Sequence, residues 1–344
     1  MQIIGIILVV LGHSLHEYPD GQFGSTTLLY RLCYSFHMPL FLFVGGFLMV
    51  YTTEVLGRRP SASTFIVSKI RRLLLPMIVL TVITFVPRHG MSFAADNELM
   101  LNAHDFAMAF LDKQYMPIPF FWFIQVSFIL LIVCFLLLWV FRKMHLPSLA
   151  GILIIFGLLT YYGISSQPHT SIFSITDLKR IGLFFALGGV YALIFEKVDK
   201  YVPWTNLWFL ILITAAWVVS YFHFEEFPEV HLCTLFGIMM TISVAKIIEK
   251  NGWRFLDHLK GANFMIFLLS WYCNVLFQQV LAYFVVLPWW VYTVLSLVAG
   301  IYVPWLGYKY LEKHQESRWV RVTSWLLGQS FRPADRNPES QSAK

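Results

Sequence analysis

Apolar runs of about 18 residues or more recur along nearly the whole chain, as in FFWFIQVSFILLIVCFLLLWVF at 120–141. Runs of that length fit a hydrocarbon core of about 30 Å, in which every backbone polar group must find a partner within the protein. Only helices and closed barrels meet that condition, and these runs are continuous where barrel strands would alternate. The chain therefore reads as all-α, a polytopic transmembrane helical bundle. Candidate spans fall at roughly 1–15, 28–50, 72–87, 119–141, 148–164, 178–195, 205–222, 231–249, 262–285 and 287–310, about ten in all. Composition agrees: 58% of residues are hydrophobic and 13% charged, against roughly 25% charged in soluble domains. No repeat and no soluble block divides the chain, so residues 1–311 read as one transmembrane domain and 312–344 as a tail.

Basic residues set the expected orientation, because lysines and arginines near helix ends stay on the cytoplasmic side. All but five of the 25 fall on one side of the ten-span arrangement, the exceptions being Arg31, Arg88, Lys113, Lys179 and Arg180. Both termini are then expected in the cytoplasm, and the net charge of +6 calls for no nucleic-acid partner. Cys33, Cys134, Cys233 and Cys273 are scattered among apolar residues and read as small core hydrophobes; a Cys33–Cys233 pair is the weaker alternative. The first run is short for a span, so the chain's start is expected to lie inside the first helix.

That first run, VVLGHSLH at 9–16, ends in histidines with Glu17 behind them. His13 lies about 18 Å along the helix, a depth at which ionisable groups face a bundle interior or aqueous cavity. A neutral histidine bonded to a neighbouring helix is the plainer alternative. His13, His16 and Glu17 share one helical face by their i, i+3, i+4 spacing, with Glu17 placed to orient or charge an imidazole. HSLHE matches neither metal-binding pattern HExxH nor HxxEH, and no metal is assigned. In SFHMPLFLFVGGF, residues 35–47, His37 is a second buried imidazole, Pro39 can bend the helix, and Gly45 and Gly46 allow close approach. In KIRRLLLP, residues 69–76, Lys69, Arg72 and Pro76 follow a helical repeat. Basic residues are ordinary at a cytoplasmic helix end, yet Lys69, Arg71 and Arg72 also suit a clamp for a phosphorylated donor.

LVVLGHS, SFHMPLFLFVGGF, KIRRLLLP, PFFWF at 119–123 and LFFALGG at 183–189 together resemble the acyltransferase-3 family of integral-membrane acyltransferases. The resemblance covers the first three spans well and the rest diffusely. It implies O-acylation, commonly O-acetylation, of sugars and related acceptors from acetyl-CoA or another acyl-CoA, a donor substrate and not a resident cofactor. It makes His13 the catalytic histidine. In the family's pattern a basic residue precedes that histidine by eleven positions; here the position is Gln2. A second departure is FMIFLLSWYCN, with Ser270 and Trp271 where many members carry a histidine.

The expected enzyme is thus a transferase of the cell (inner or plasma) membrane, moving an acyl group to a hydroxyl of a cell-envelope or exported glycan or glycolipid. Its expected site is His13, Glu17 and His37, with Lys69, Arg71 and Arg72 on the donor's phosphates. Whether His13 acts as a base or carries the acyl group covalently stays open. A transporter, and a degenerate relative serving envelope polysaccharide assembly as a partner, are the rival classes. The 88–117 loop reads as a solvated connector, and HFEEFPEVH at 223–231 as a solvated turn or a cation site. Trp319, Val322, Trp325 and Leu326 suggest an interfacial helix, and the polar stretch from Arg332 onward reads as disordered.

Overall fold

The computed structural model describes residues 1–16, 24–90, 102–164, 171–223, 230–285 and 287–331. Each of the ten apolar segments falls on helix: α1 (Gln2–His16), α2 (Gly24–Tyr34) with α3 (His37–Val50), α5 (Leu75–Gly90), α7 (Trp122–Lys143) and α8 (Ser148–Ile164). They continue with α9 (Ile175–Ile181) and α10 (Leu183–Tyr201), α11 (Leu207–His223), α12 (Val230–Lys250), α13 (Asn263–Phe284) and α14 (Trp289–Lys313). Shorter helices are α4 (Ala62–Lys69), α6 (Ala103–Met108) and α15 (Arg318–Leu326). Among the described residues, five helical stretches are long and apolar enough to cross a membrane on their own. A sixth is α9 with α10, bent by 44° at Gly182, and four more apolar helices are shorter. Many large apolar side chains on these helices point outward, among them Leu158, Trp208, Leu212 and Ile83, as an integral membrane protein requires.

Two layers of ion pairs bracket α7. At its start Lys113 Nζ lies 2.9 Å from Asp177 Oδ2 and 4.9 Å from the Trp122 ring centroid. At its end Arg142 Nη1 lies 2.9 Å from Glu54 Oε1, whose second oxygen accepts from Ser148 Oγ at 2.5 Å. The 22 residues of α7 separate these layers by about 33 Å, close to the thickness of a hydrocarbon core.

Glycines allow backbone-to-backbone contact between α3 and α10. A Cβ on Gly46 would run into the Phe185 carbonyl, and one on Gly188 into the Phe43 carbonyl, so the GGF and LFFALGG motifs are two halves of one backbone-to-backbone seam. Pro39 falls in the first turn of α3, where a missing N–H costs little. The break expected at Pro39 comes just before it, at Ser35–Phe36, and α11 and α12 hold it. Thr234 Oγ1 donates to the Ser35 carbonyl at 2.8 Å, Trp217 Nε1 donates to Ser35 Oγ at 3.2 Å, and Phe36 packs against Gly237.

Pro76 has the larger effect. Its ring cannot donate to the preceding turn, and the chain passes from α4 to α5 through a widened π-helical turn, Ile70–Leu74. The extra residue breaks the simple repeat expected for Lys69, Arg72 and Pro76. All four cysteines are free. In α15, Trp319, Val322 and Trp325 are exposed while Val320 packs inward. The stretch from Arg332 onward lies outside the described residues.

Candidate active site

The sequence LGHS at 11–14 assigns each residue a different neighbour. A Cβ on Gly12 would come within 2.7 Å of the Tyr34 ring, so the glycine lets α2 press this tyrosine against α1. Tyr34 Oη consequently reaches His13 Nδ1 at 3.4 Å, with the rings edge to face. Phe120 covers the imidazole from another side, centroid to centroid 5.7 Å.

His37 stands across the same tyrosine, its ring edge-on to Tyr34 at 4.5 Å. It is 2% exposed, and its Nδ1 lies 2.7 Å from the Cys33 carbonyl, one of the carbonyls that the end of α2 leaves without an intrahelical donor. A carbonyl only accepts, so Nδ1 carries a proton, and in the neutral form of the ring Nε2 is then the acceptor. Tyr34 thus links two imidazoles from α1 and α3.

Both histidines line a cavity of about 520 Å³ whose aromatic wall includes Tyr30, Tyr34, Phe120, Trp122 and Trp271. Its rim also carries Lys113, beside Trp122, with Arg180, Phe184, His231 and Thr234. Asp177 there takes both Lys113, at 2.9 and 3.0 Å, and Arg180, at 3.5 Å. His231 Nε2 donates to the Arg180 carbonyl at 3.0 Å and its ring stacks on Phe184. Among the described residues no three of His, Cys, Asp and Glu gather as a metal-holding group.

His13 and His37, read separately from the sequence, therefore come together. Glu17 lies outside the described residues. Lys69, Arg71 and Arg72 do not line the cavity: Lys69 lies over Phe65, which stacks on Phe135 near the Arg142 end of α7. Arg71 Nη2 donates to the Gln329 carbonyl at 3.4 Å. Gln2 lines a second cavity, of about 460 Å³, with Lys260, Phe43, Phe47 and Tyr191 at the far end of α1 from His13.

The connector before α7 is more than a solvated loop. Its described part is folded, with Asp105 and Asp112 each 7% exposed, and it delivers Lys113 to the rim. Its remaining acids, Asp96 and Glu98, lie outside the described residues, as does most of HFEEFPEVH. Sequence reasoning missed Tyr34, Lys113 and Trp271 as site residues. In sequence Trp271 marks only a departure from a pattern and PFFWF a motif; Trp271, Phe120 and Trp122 line the cavity.

An integral-membrane helical bundle with paired imidazoles in a cavity near one end of its helices is the class that fold and site define. Residues 1–309 match the acyltransferase-3 family model, described as an acyltransferase domain, and the chain belongs to this family. It is a membrane acyltransferase that transfers groups other than aminoacyl groups. Neither a curated protein nor a solved structure matches the chain.

Proposed function

We propose that the protein is an O-acyltransferase of the cell membrane, moving an acyl group, most simply acetyl, from acyl-CoA to a hydroxyl of a cell-envelope or exported glycan. The observation that carries this reading is the convergence of His13 and His37 on one aromatic-walled cavity, with Tyr34 between them. With the ten spans and cytoplasmic termini that the basic residues lead us to propose, this cavity would face the extracytoplasmic side and the Lys69, Arg71 and Arg72 cluster the cytoplasm, where acyl-CoA is available.

In the proposed reaction the acceptor hydroxyl gives its proton to the His13 imidazole as its oxygen attacks the thioester carbonyl. A C–O bond forms, the C–S bond breaks, and the CoA sulfur leaves as thiolate or takes up the proton. Tyr34 steadies the imidazole through Nδ1, and Glu17, four residues beyond His13 in sequence, is assigned an orienting role. His37, protonated at Nδ1, offers its Nε2 lone pair as an acceptor at the same cavity. Flat aromatic walls at Trp122 and Trp271 suit the apolar faces of a sugar ring. Lys69, Arg71 and Arg72 are assigned the donor's phosphates, for which guanidinium forks are matched.

Replacing His13 by alanine tests the reading. A positioned base contributes about 10²- to 10⁴-fold, so His13→Ala should lose at least about 100-fold in CoA release from acetyl-CoA while inserting normally. Retention of wild-type turnover in that variant would falsify the assignment.

A further inference from the structure

The residue after His13 belongs to a different environment. Ser14 is 1% exposed; it meets Asn274 and Gln278 of α13, and Gln278 in turn reaches Ser296 of α14, each no more than 1% exposed. Ser14 lies in the last turn of α1, where carbonyls have no donor from their own helix. Gln278 Nε2 supplies that donor, 2.9 Å from the Ser14 carbonyl, and also donates to Ser296 Oγ at 3.0 Å. Asn274 stands 3.2 Å from the Ser14 hydroxyl whichever way its amide is turned. Turned so that its own oxygen and nitrogen both find partners, its NH₂ donates to the carbonyls of Ser296 at 2.8 Å and Ser270 at 3.3 Å. Gly300 of α14 leaves the space: a Cβ there would collide with the Asn274 amide and Val10.

Within a bilayer an unmet carbonyl costs several kcal/mol, and no water is at hand to replace a lost partner. Sliding or rotating α1 against α13 would separate the Ser14 carbonyl from the one amide that satisfies it. The terminal turn of α1 therefore has one favoured depth and one favoured rotation. Trp271, on the same face of α13 three residues before Asn274, lines the His13 cavity, so one helix both walls the site and holds the histidine's helix.

We propose that Gln278 and Asn274 are positioning residues for the transfer: they fix the last turn of α1 and, through it, the place of the His13 imidazole in the cavity. This rests on the reading of His13 as the group that carries the reaction. Neither side chain lines that cavity, so their effect on rate would be exerted through His13.

The test uses the full-length protein in its own membrane vesicles, where the endogenous acceptor is present, and follows release of CoA thiol from acetyl-CoA across pH. Gln278→Leu keeps the approximate volume and removes both donated bonds. Since a misplacement of about 1 Å can cost on the order of 100-fold, kcat should fall 10- to 100-fold with KM for acetyl-CoA within about threefold, and the inflection of the pH–rate curve should move. A loss of folded molecules would scale that curve without moving it, so a merely scaled or an unchanged curve overturns the proposal. If Gln278→Leu fails to insert, Ser296→Ala, which removes only the second anchor of the amide, must still move the inflection; an unmoved curve there overturns the proposal equally. His13→Ala run in parallel separates the two levels. An active His13→Ala removes the reading of the site itself, whereas an inactive one beside a wild-type-like Gln278→Leu removes only the positioning role.

Discussion

At the scale of the residue, much of the site depends on what a side chain omits. Gly12 has no Cβ, and the Tyr34 ring occupies that room, which brings a phenol to His13 Nδ1. Two substitutions separate the hydroxyl from the packing. Tyr34→Phe keeps the ring and loses one hydrogen bond, of about 0.5–1.5 kcal/mol, so turnover should fall roughly 2- to 12-fold with insertion unchanged. Gly12→Ala pushes the whole ring away and should cost more than Tyr34→Phe in the same CoA-release assay. An order reversed from this would mean that the hydroxyl, not the close approach, is the larger effect. The sequence presents Gly12 as one more small residue in an apolar run; its partner is visible only once α2 lies across α1.

At the scale of the element, the seam between α3 and α10 sets the frame that carries His37. Gly46 and Gly188 each face a carbonyl of the opposite helix, and backbone cannot step aside as a flexible side chain can. Gly46→Val should therefore destabilise the protein by about 1–3 kcal/mol or more, read as a lowered Tm in detergent. Gly157→Val in α8, where a Cβ would meet nothing within 4 Å, is the matched control and should leave Tm nearly unchanged. Equal losses in the two would show generic helix-glycine behaviour in place of a specific seam. The motifs GGF and LFFALGG are separable in sequence by well over a hundred residues, and their pairing is a property of the bundle. The π-helical turn at Ile70–Leu74 is another such case: Pro76 announces a disturbance, but the widened turn that absorbs it follows from how the chain is then packed.

At the scale of the whole molecule, the ion pairs at the two ends of α7 separate a Lys113 end, with the His13 cavity, from an Arg142 end, with Gln2 and the Lys69–Arg72 cluster. From the distribution of lysines and arginines the Lys113 end is expected on the extracytoplasmic side. Cysteine labelling in intact cells checks this. Ala103→Cys, near Lys113, should react with a membrane-impermeant maleimide at once, and Met144→Cys, beside Arg142, only after permeabilisation. Labelling in the opposite order would invert the molecule and put His13 on the cytoplasmic side. The four native cysteines, three of them buried, are controlled by the parent protein treated alike.

The sequence by itself determined that this is a helical membrane protein, because only runs of that length and polarity satisfy a bilayer. It also singled out His13 and His37, because imidazoles at such depth need a reason. The tertiary structure decided that the two histidines share a cavity, that Tyr34 lies between them, and that Lys69, Arg71 and Arg72 do not line it. It also decided that Ser14 is tied to α13 through Gln278. The reason is physical. Burial against lipid depends on the composition of a segment, which is local, whereas a hydrogen bond or a missing Cβ acquires meaning only from the helix that comes to lie against it.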